Sequence, residues 1–145
     1  MLDPVVLFER AATNAAAMAE RVRPEQRSAP TPCSEWDVDT LLSHMVGGTG
    51  YLLTALDLDA APNGDEQAYR LAVARCVESL QPPGVLERRC MSPASFEWSV
   101  AEAVSGTAMD QLVHTWDLAV AIGGDRSLDP ELVEGLFGDV RAADA

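Results

Sequence analysis

The sequence contains no lysine; all ten of its basic residues are arginine. Without a side-chain primary amine, Schiff-base catalysis is excluded, and so is a phosphate-binding loop built around a lysine. The ten arginines face 23 carboxylates, for a formal net charge of −13. The basic footprint that nucleic acid or an anionic membrane requires is therefore missing too. Aromatic residues are only 6% of the chain, few for a β-sandwich of this size. Cys33, Cys76 and Cys90 are odd in number and lack C-x-x-C spacing, which argues against a disulfide framework or zinc knuckle. The first ten residues carry Asp3, Glu9 and Arg10, so they have neither the basic start nor the apolar run of a secretory signal. No stretch is long and apolar enough to span a bilayer. These lacks predict a cytoplasmic protein with reduced thiols.

What is present points to helix. The 145 residues suit a single domain, and 48% of them are hydrophobic, which rules out disorder. Alanine dominates that fraction and favours helix over sheet. Asp3-Pro4 starts a helical segment over 3–23, and Pro24 ends it. Residues 27–36, RSAPTPCSEW, read as a structured loop. Asp37 is a candidate N-cap for a second helix over 37–58, with Val38, Leu41, Leu42, Met45, Leu52 and Leu53 on one face. Gly47, Gly48 and Gly50 interrupt it and predict a close neighbour or a kink. A turn is expected at 60–65 and a third helix at 66–80, stopped by Pro82-Pro83-Gly84. Residues 86–99 read as an irregular loop or a short β-hairpin. The longest helix is expected at 100–122, closed by Gly123-Gly124, and Asp129-Pro130 opens a short fifth one. The expectation is an all-α bundle with a long crossover connection.

Only two histidines are present, His44 and His114, on different expected helices. Asp110 and His114 are four residues apart and share a helical face. Ala103, Gly106, Thr107, Asp117 and Ala121 lie on that face, and small residues there leave space beside the carboxylate and imidazole. Carboxylate and imidazole donors from facing helices are how bundles hold a divalent ion, and three protein ligands leave positions open. The same spacing also makes an ordinary helix-stabilising pair, and spacing does not choose between them. His44 lies on the flank of its apolar face, beside Gly48 and Tyr51. Asp117 is placed either to orient His114 from behind or to stand solvated. Trp36 and Trp116 read as packing residues. Cys33 is a reactive thiol only if it sits at a helix N-terminus, and otherwise a buried inert one.

Two stretches carry more. Thr31 to Gly48 reads TPCSEWDVDTLLSHMVGG, and Asp110 to Gly123 reads DQLVHTWDLAVAIG. Together they resemble the metal-binding domain of the mycothiol-dependent maleylpyruvate isomerase family, within the wider DinB-like superfamily. The resemblance implies a four-helix bundle of up-down-down-up type and a zinc or nickel ion held by His44, Asp110 and His114, with Asp117 behind them. Two departures accompany it. The isomerase has glutamate where this chain has Asp110, and it carries a further C-terminal domain that contributes to catalysis. Family members usually continue past the equivalent of Ala145, so a single domain over 1–145 that lacks a C-terminal segment is expected.

These readings lead to a thiol-cofactor-dependent transferase or isomerase-like enzyme using a divalent metal and mycothiol. Maleylpyruvate isomerisation itself is not expected. The alternatives are a non-catalytic metal- or small-molecule-binding bundle and a metal-activated hydrolase. The expected partner is a small molecule or thiol, with a homodimer as an open option and neither nucleic acid nor membrane.

Overall fold

Asp3 begins the first helix as the sequence suggests: its carboxylate accepts the Val5 N–H at 2.7 Å, and Pro4 occupies the first helical turn. The computed structural model describes residues 3–59 and 66–143, and the turn expected at 60–65 lies outside them. Among these residues the elements are α1 (Pro4–Ala19), α2 (Val38–Ala55), α3 (Glu66–Ser79), β1 (Arg89–Met91), β2 (Glu97–Ser99), α4 (Val100–Ile122) and α5 (Pro130–Ala143). A 3-10 turn at Pro24–Gln26 follows α1. α1 stops four residues before Arg23 because its last turn tightens: Arg21 and Val22 donate to Met18 and Ala19, three residues back.

The other ends are equally local in origin. Asp37 caps α2 by accepting the Thr40 N–H at 2.9 Å. Ser99 and Glu102 form a reciprocal capping box at the start of α4. Gly123, at φ 71°, closes α4 in the left-handed conformation, and the Gly124 N–H reaches back to Ala119. The segment 86–99 forms the hairpin rather than an irregular loop, with Cys90 opposite Trp98. Ser92 shapes its turn, accepting from the Ala94 and Phe96 N–H groups. Among the described residues no helix is long and apolar enough to cross a membrane.

The result is an all-α bundle with a small hairpin. α4 is its centre and packs on α1, α2, α5 and both strands. The buried face of α1 is largely alanine, with Ala11, Ala12, Ala15 and Ala16 at 1% exposure, so its backbone lies close to its neighbours. Phe8, Leu41, Leu52, Leu53, Val104 and Leu118 fill the space between the helices. One polar side chain crosses this core: Gln111, fully buried, accepts from the Tyr69 hydroxyl at 2.7 Å and donates to the Met45 carbonyl at 2.9 Å. It ties α4 to α2 and α3 where water cannot substitute.

Tyr69→Phe leaves the buried Gln111 carbonyl oxygen without its donor. The expected cost is about 1–3 kcal/mol, read as a lower urea midpoint at unchanged slope.

Candidate functional site

α2 and α4 run antiparallel along one seam. His44 on α2 meets Asp110 and His114 on α4, while seven residues later the Tyr51 hydroxyl accepts from Trp98 Nε1, just before α4 begins. Gly48 lies at the contact between the two helices. A Cβ there would lie 3.4 Å from Gln111 Nε2, 3.8 Å from Thr107 Cγ2 and 3.9 Å from Asp110 Oδ2. Of the three glycines of α2 only this one faces a neighbour; Gly47 and Gly50 meet nothing within 4 Å. Gly106 serves the hairpin rather than the site, because a Cβ there would sit 3.1 Å from the Trp98 ring.

The seam brings three donor groups together. His44 Nε2 lies 3.3 Å from the Asp110 carboxylate, and His114 Nε2 lies 3.2 Å from it on the other side. The two imidazoles are 4.8 Å apart at 79°, edge to face. These distances are longer than the 2.6–2.7 Å of the Arg10 ion pairs. Two donors bonded to one ion at about 2.0 Å stand about 3.3 Å apart at tetrahedral angles. The spacing is therefore compatible with ligands around one divalent ion as well as with hydrogen bonds between the imidazoles and the carboxylate. The His44 and Asp110 side chains are 39% and 35% exposed and His114 14%, so the group opens to solvent on the α2 side.

Behind His114 stands Asp117, 6% exposed, accepting from Nδ1 at 2.9 Å. It is a buried orienting carboxylate, and the solvated alternative does not apply. That bond fixes which imidazole nitrogen carries the proton and aims Nε2 at Asp110. Burial works to raise the Asp110 carboxyl, but hydrogen bonds from His114 and His44 outweigh it and hold it below the usual carboxylate range. The hydrogen bond to Asp110 raises the His114 pKa; burial opposes this, and Asp117 adds to it.

Two residues of the TPCSEW loop belong to the site, and the sequence did not place them there. Thr31 ties the loop, its hydroxyl accepting from the Cys33 N–H and donating to the Trp36 carbonyl. Trp36 then lies against both imidazoles, with ring centroids 4.6 Å from His44 and 5.8 Å from His114. It packs, as expected, but on the site itself. Trp116 is 37% exposed and belongs to another surface. Cys33 is neither at a helix N-terminus nor fully buried: its thiol donates to Asp117 Oδ2 at 3.5 Å. Burial, then the hydrogen bond to Asp117, pushes its pKa up. Cys33, Asp117 and the Nδ1 side of His114 are close enough to form a second donor group. A thiol held protonated makes it the poorer of the two. The motif quoted both loop residues, but a loop has no periodicity from which to read direction.

Since Asp117 raises the Cys33 pKa, Asp117→Asn is expected to speed iodoacetamide labelling of Cys33 at pH 8. Cys76, fully buried with its pKa pushed up to about 12, is expected to stay unlabelled in the folded protein. Peptide mass spectrometry over time separates the two, and an unchanged Cys33 rate in the variant would contradict the assigned contact.

Comparison with known proteins gives the chain a family. Residues 8–89, which include the TPCSEW loop and His44, match the family described as mycothiol maleylpyruvate isomerase N-terminal domain. Curated relatives from two Mycobacterium tuberculosis strains, CDC 1551 / Oshkosh and ATCC 25618 / H37Rv, are each named only as an uncharacterized protein. Both are 33% identical over 150 residues, covering 97% of this chain and 79% of the relative. That span reaches past the family match to Asp110, His114 and Asp117. No solved structure gives a significant match. On the family match and these relatives, the chain belongs to the mycothiol maleylpyruvate isomerase N-terminal domain family.

Proposed function

We propose that His44, Asp110 and His114 hold one divalent ion, zinc or nickel, and that the chain is a thiol-cofactor-dependent transferase or isomerase-like enzyme. The observation that carries this reading is the convergence of two Nε2 atoms on one carboxylate at 3.2–3.3 Å, across two helices. Membership of a mycothiol-related family supports a low-molecular-weight thiol of the mycothiol type as the cofactor. A bound ion would favour the thiolate of that cofactor at neutral pH.

The protein's own residues would do the rest. Asp110 stays ionised and supplies negative charge between the imidazoles. Asp117 accepts the Nδ1 proton of His114 and so keeps the Nε2 lone pair available. Trp36 covers one flank of both rings, which excludes water there and limits their rotation. The open side, toward the more exposed His44, is where a thiol and its substrate would enter. Such a thiol belongs to the cytoplasm, in keeping with three cysteines that form no disulfide.

Metal analysis of the purified chain is expected to give close to one ion per molecule, lost in His114→Ala. Asp117→Asn is expected to weaken ion affinity about 10–100-fold without abolishing it. Cobalt-loaded protein should gain a sulfur-to-metal absorption band when a small thiol is added. No ion taken up from added zinc or nickel would overturn the whole reading. An ion with no thiol band would overturn its thiol part.

A further inference from the structure

Trp116 follows His114 by two residues, about 200° further round α4, so its ring faces away from the two imidazoles. It opens on a cleft of about 480 Å³ between α1, the second half of α4 and the connection to α5. That volume is in the range of small-ligand sites. Met18 and Leu112 give the cleft apolar walls, and Trp116 and Leu128 extend them at 37% and 43% exposure.

The rim has the opposite character. Arg10, Arg21 and Arg126, three of the ten cations of a chain with net charge −13, line this one cleft. Arg10 is already committed to Asp129 and Glu131, at 2.6 and 2.7 Å. The guanidiniums of Arg21 and Arg126 form no hydrogen bond or ion pair with any described residue. Asp125 is near Arg21 but is occupied locally, its Oδ1 accepting the Ser127 N–H at 2.9 Å. Counted with Glu131, the three guanidiniums meet three carboxylates, so the cleft carries no net charge; Arg10 is spent on two of them, which leaves Arg21 and Arg126 with Asp125 alone. Two such guanidiniums beside one carboxylate suit a single negative charge better than a phosphate dianion. Planar guanidiniums pair with a carboxylate through two parallel bonds, and an exposed indole offers a face for a flat apolar body.

We propose that this cleft is a second ligand site, separate from the metal centre, which binds a small aromatic monocarboxylate between Arg21, Arg126 and the ring of Trp116. The guanidiniums take the carboxylate, and the walls formed by Met18, Leu112 and Leu128 take the ring. Nothing in the site depends on an ion at His44, Asp110 and His114.

The test is a titration of the full-length chain with 4-fluorobenzoate, followed by fluorine NMR. It is run on the wild-type chain and on His114→Ala, in which the metal centre cannot receive the carboxylate. Saturable binding at one site per chain is expected, equal in the two proteins. The Arg21→Gln/Arg126→Gln double variant, whose changes are both on exposed side chains, should bind about tenfold or more weakly. Trp116→Leu should also weaken binding, and neutral 4-fluorobenzamide should bind correspondingly less well than the acid. Absence of saturation, loss of binding in His114→Ala, or equal affinity in the double variant would each overturn the proposal. Failure here leaves the metal reading untouched, because the metal analysis above does not involve this cleft.

Discussion

The seam between α2 and α4 at Gly48 is the constraint on which the rest of the site depends. The side chains of the candidate site come from two helices, and they meet only if the backbones approach closely. At Gly48, four residues after His44, a Cβ would touch α4 at ordinary van der Waals distance, so only a side chain longer than that would push the helices apart. Gln111 then secures the seam from inside, donating to the Met45 carbonyl one residue after His44. The position of His44 against Asp110 is thus held by close helix packing at Gly48 and by a buried amide on α4.

The second arrangement is a chain of contacts that runs from a loop into the site. Thr31 closes the TPCSEW turn and Trp36 lies on both imidazoles. Cys33 reaches Asp117, and Asp117 holds His114. The loop precedes α2, whose start is fixed by Asp37, and an isolated bridge pairs Pro30 with Asp37. The same short segment therefore sets where α2 begins and supports a histidine on α4. A cluster of small polar residues and prolines becomes specific when Thr31, Cys33 and Trp36 each have a separate contact.

Most of the fold was legible because its signals are local. The start signals at Asp3 and Asp37, the stop at Gly123-Gly124 and the apolar face of α2 all act within a turn or two of chain. The hairpin at 86–99 was only half legible, since three-residue strands leave too short an alternation to distinguish from a loop. The site was legible in part. Asp110 and His114 share a helix, so their spacing placed them together. His44 depended on a helix pairing that no local pattern encodes, and resemblance supplied it. Trp36 and Cys33 were assigned to packing and inertness because the direction of a loop side chain is a tertiary fact. Gly106 looked like space beside the carboxylate until the hairpin brought Trp98 over it.

The three glycines of α2 have a consequence for how the helix holds itself. Each lowers helical propensity by roughly 0.5–1 kcal/mol relative to alanine, and only Gly48 is compensated by a close neighbour. α2 is therefore the bundle helix that owes least to its own sequence in the stretch just after His44. A ligand that bridges His44 to α4 acts as a clasp on this weak stretch, because ordering the helix and filling the site draw on the same free energy. Occupancy of the centre and persistence of α2 become two readings of one equilibrium, which amide exchange along α2 would register without any view of the site.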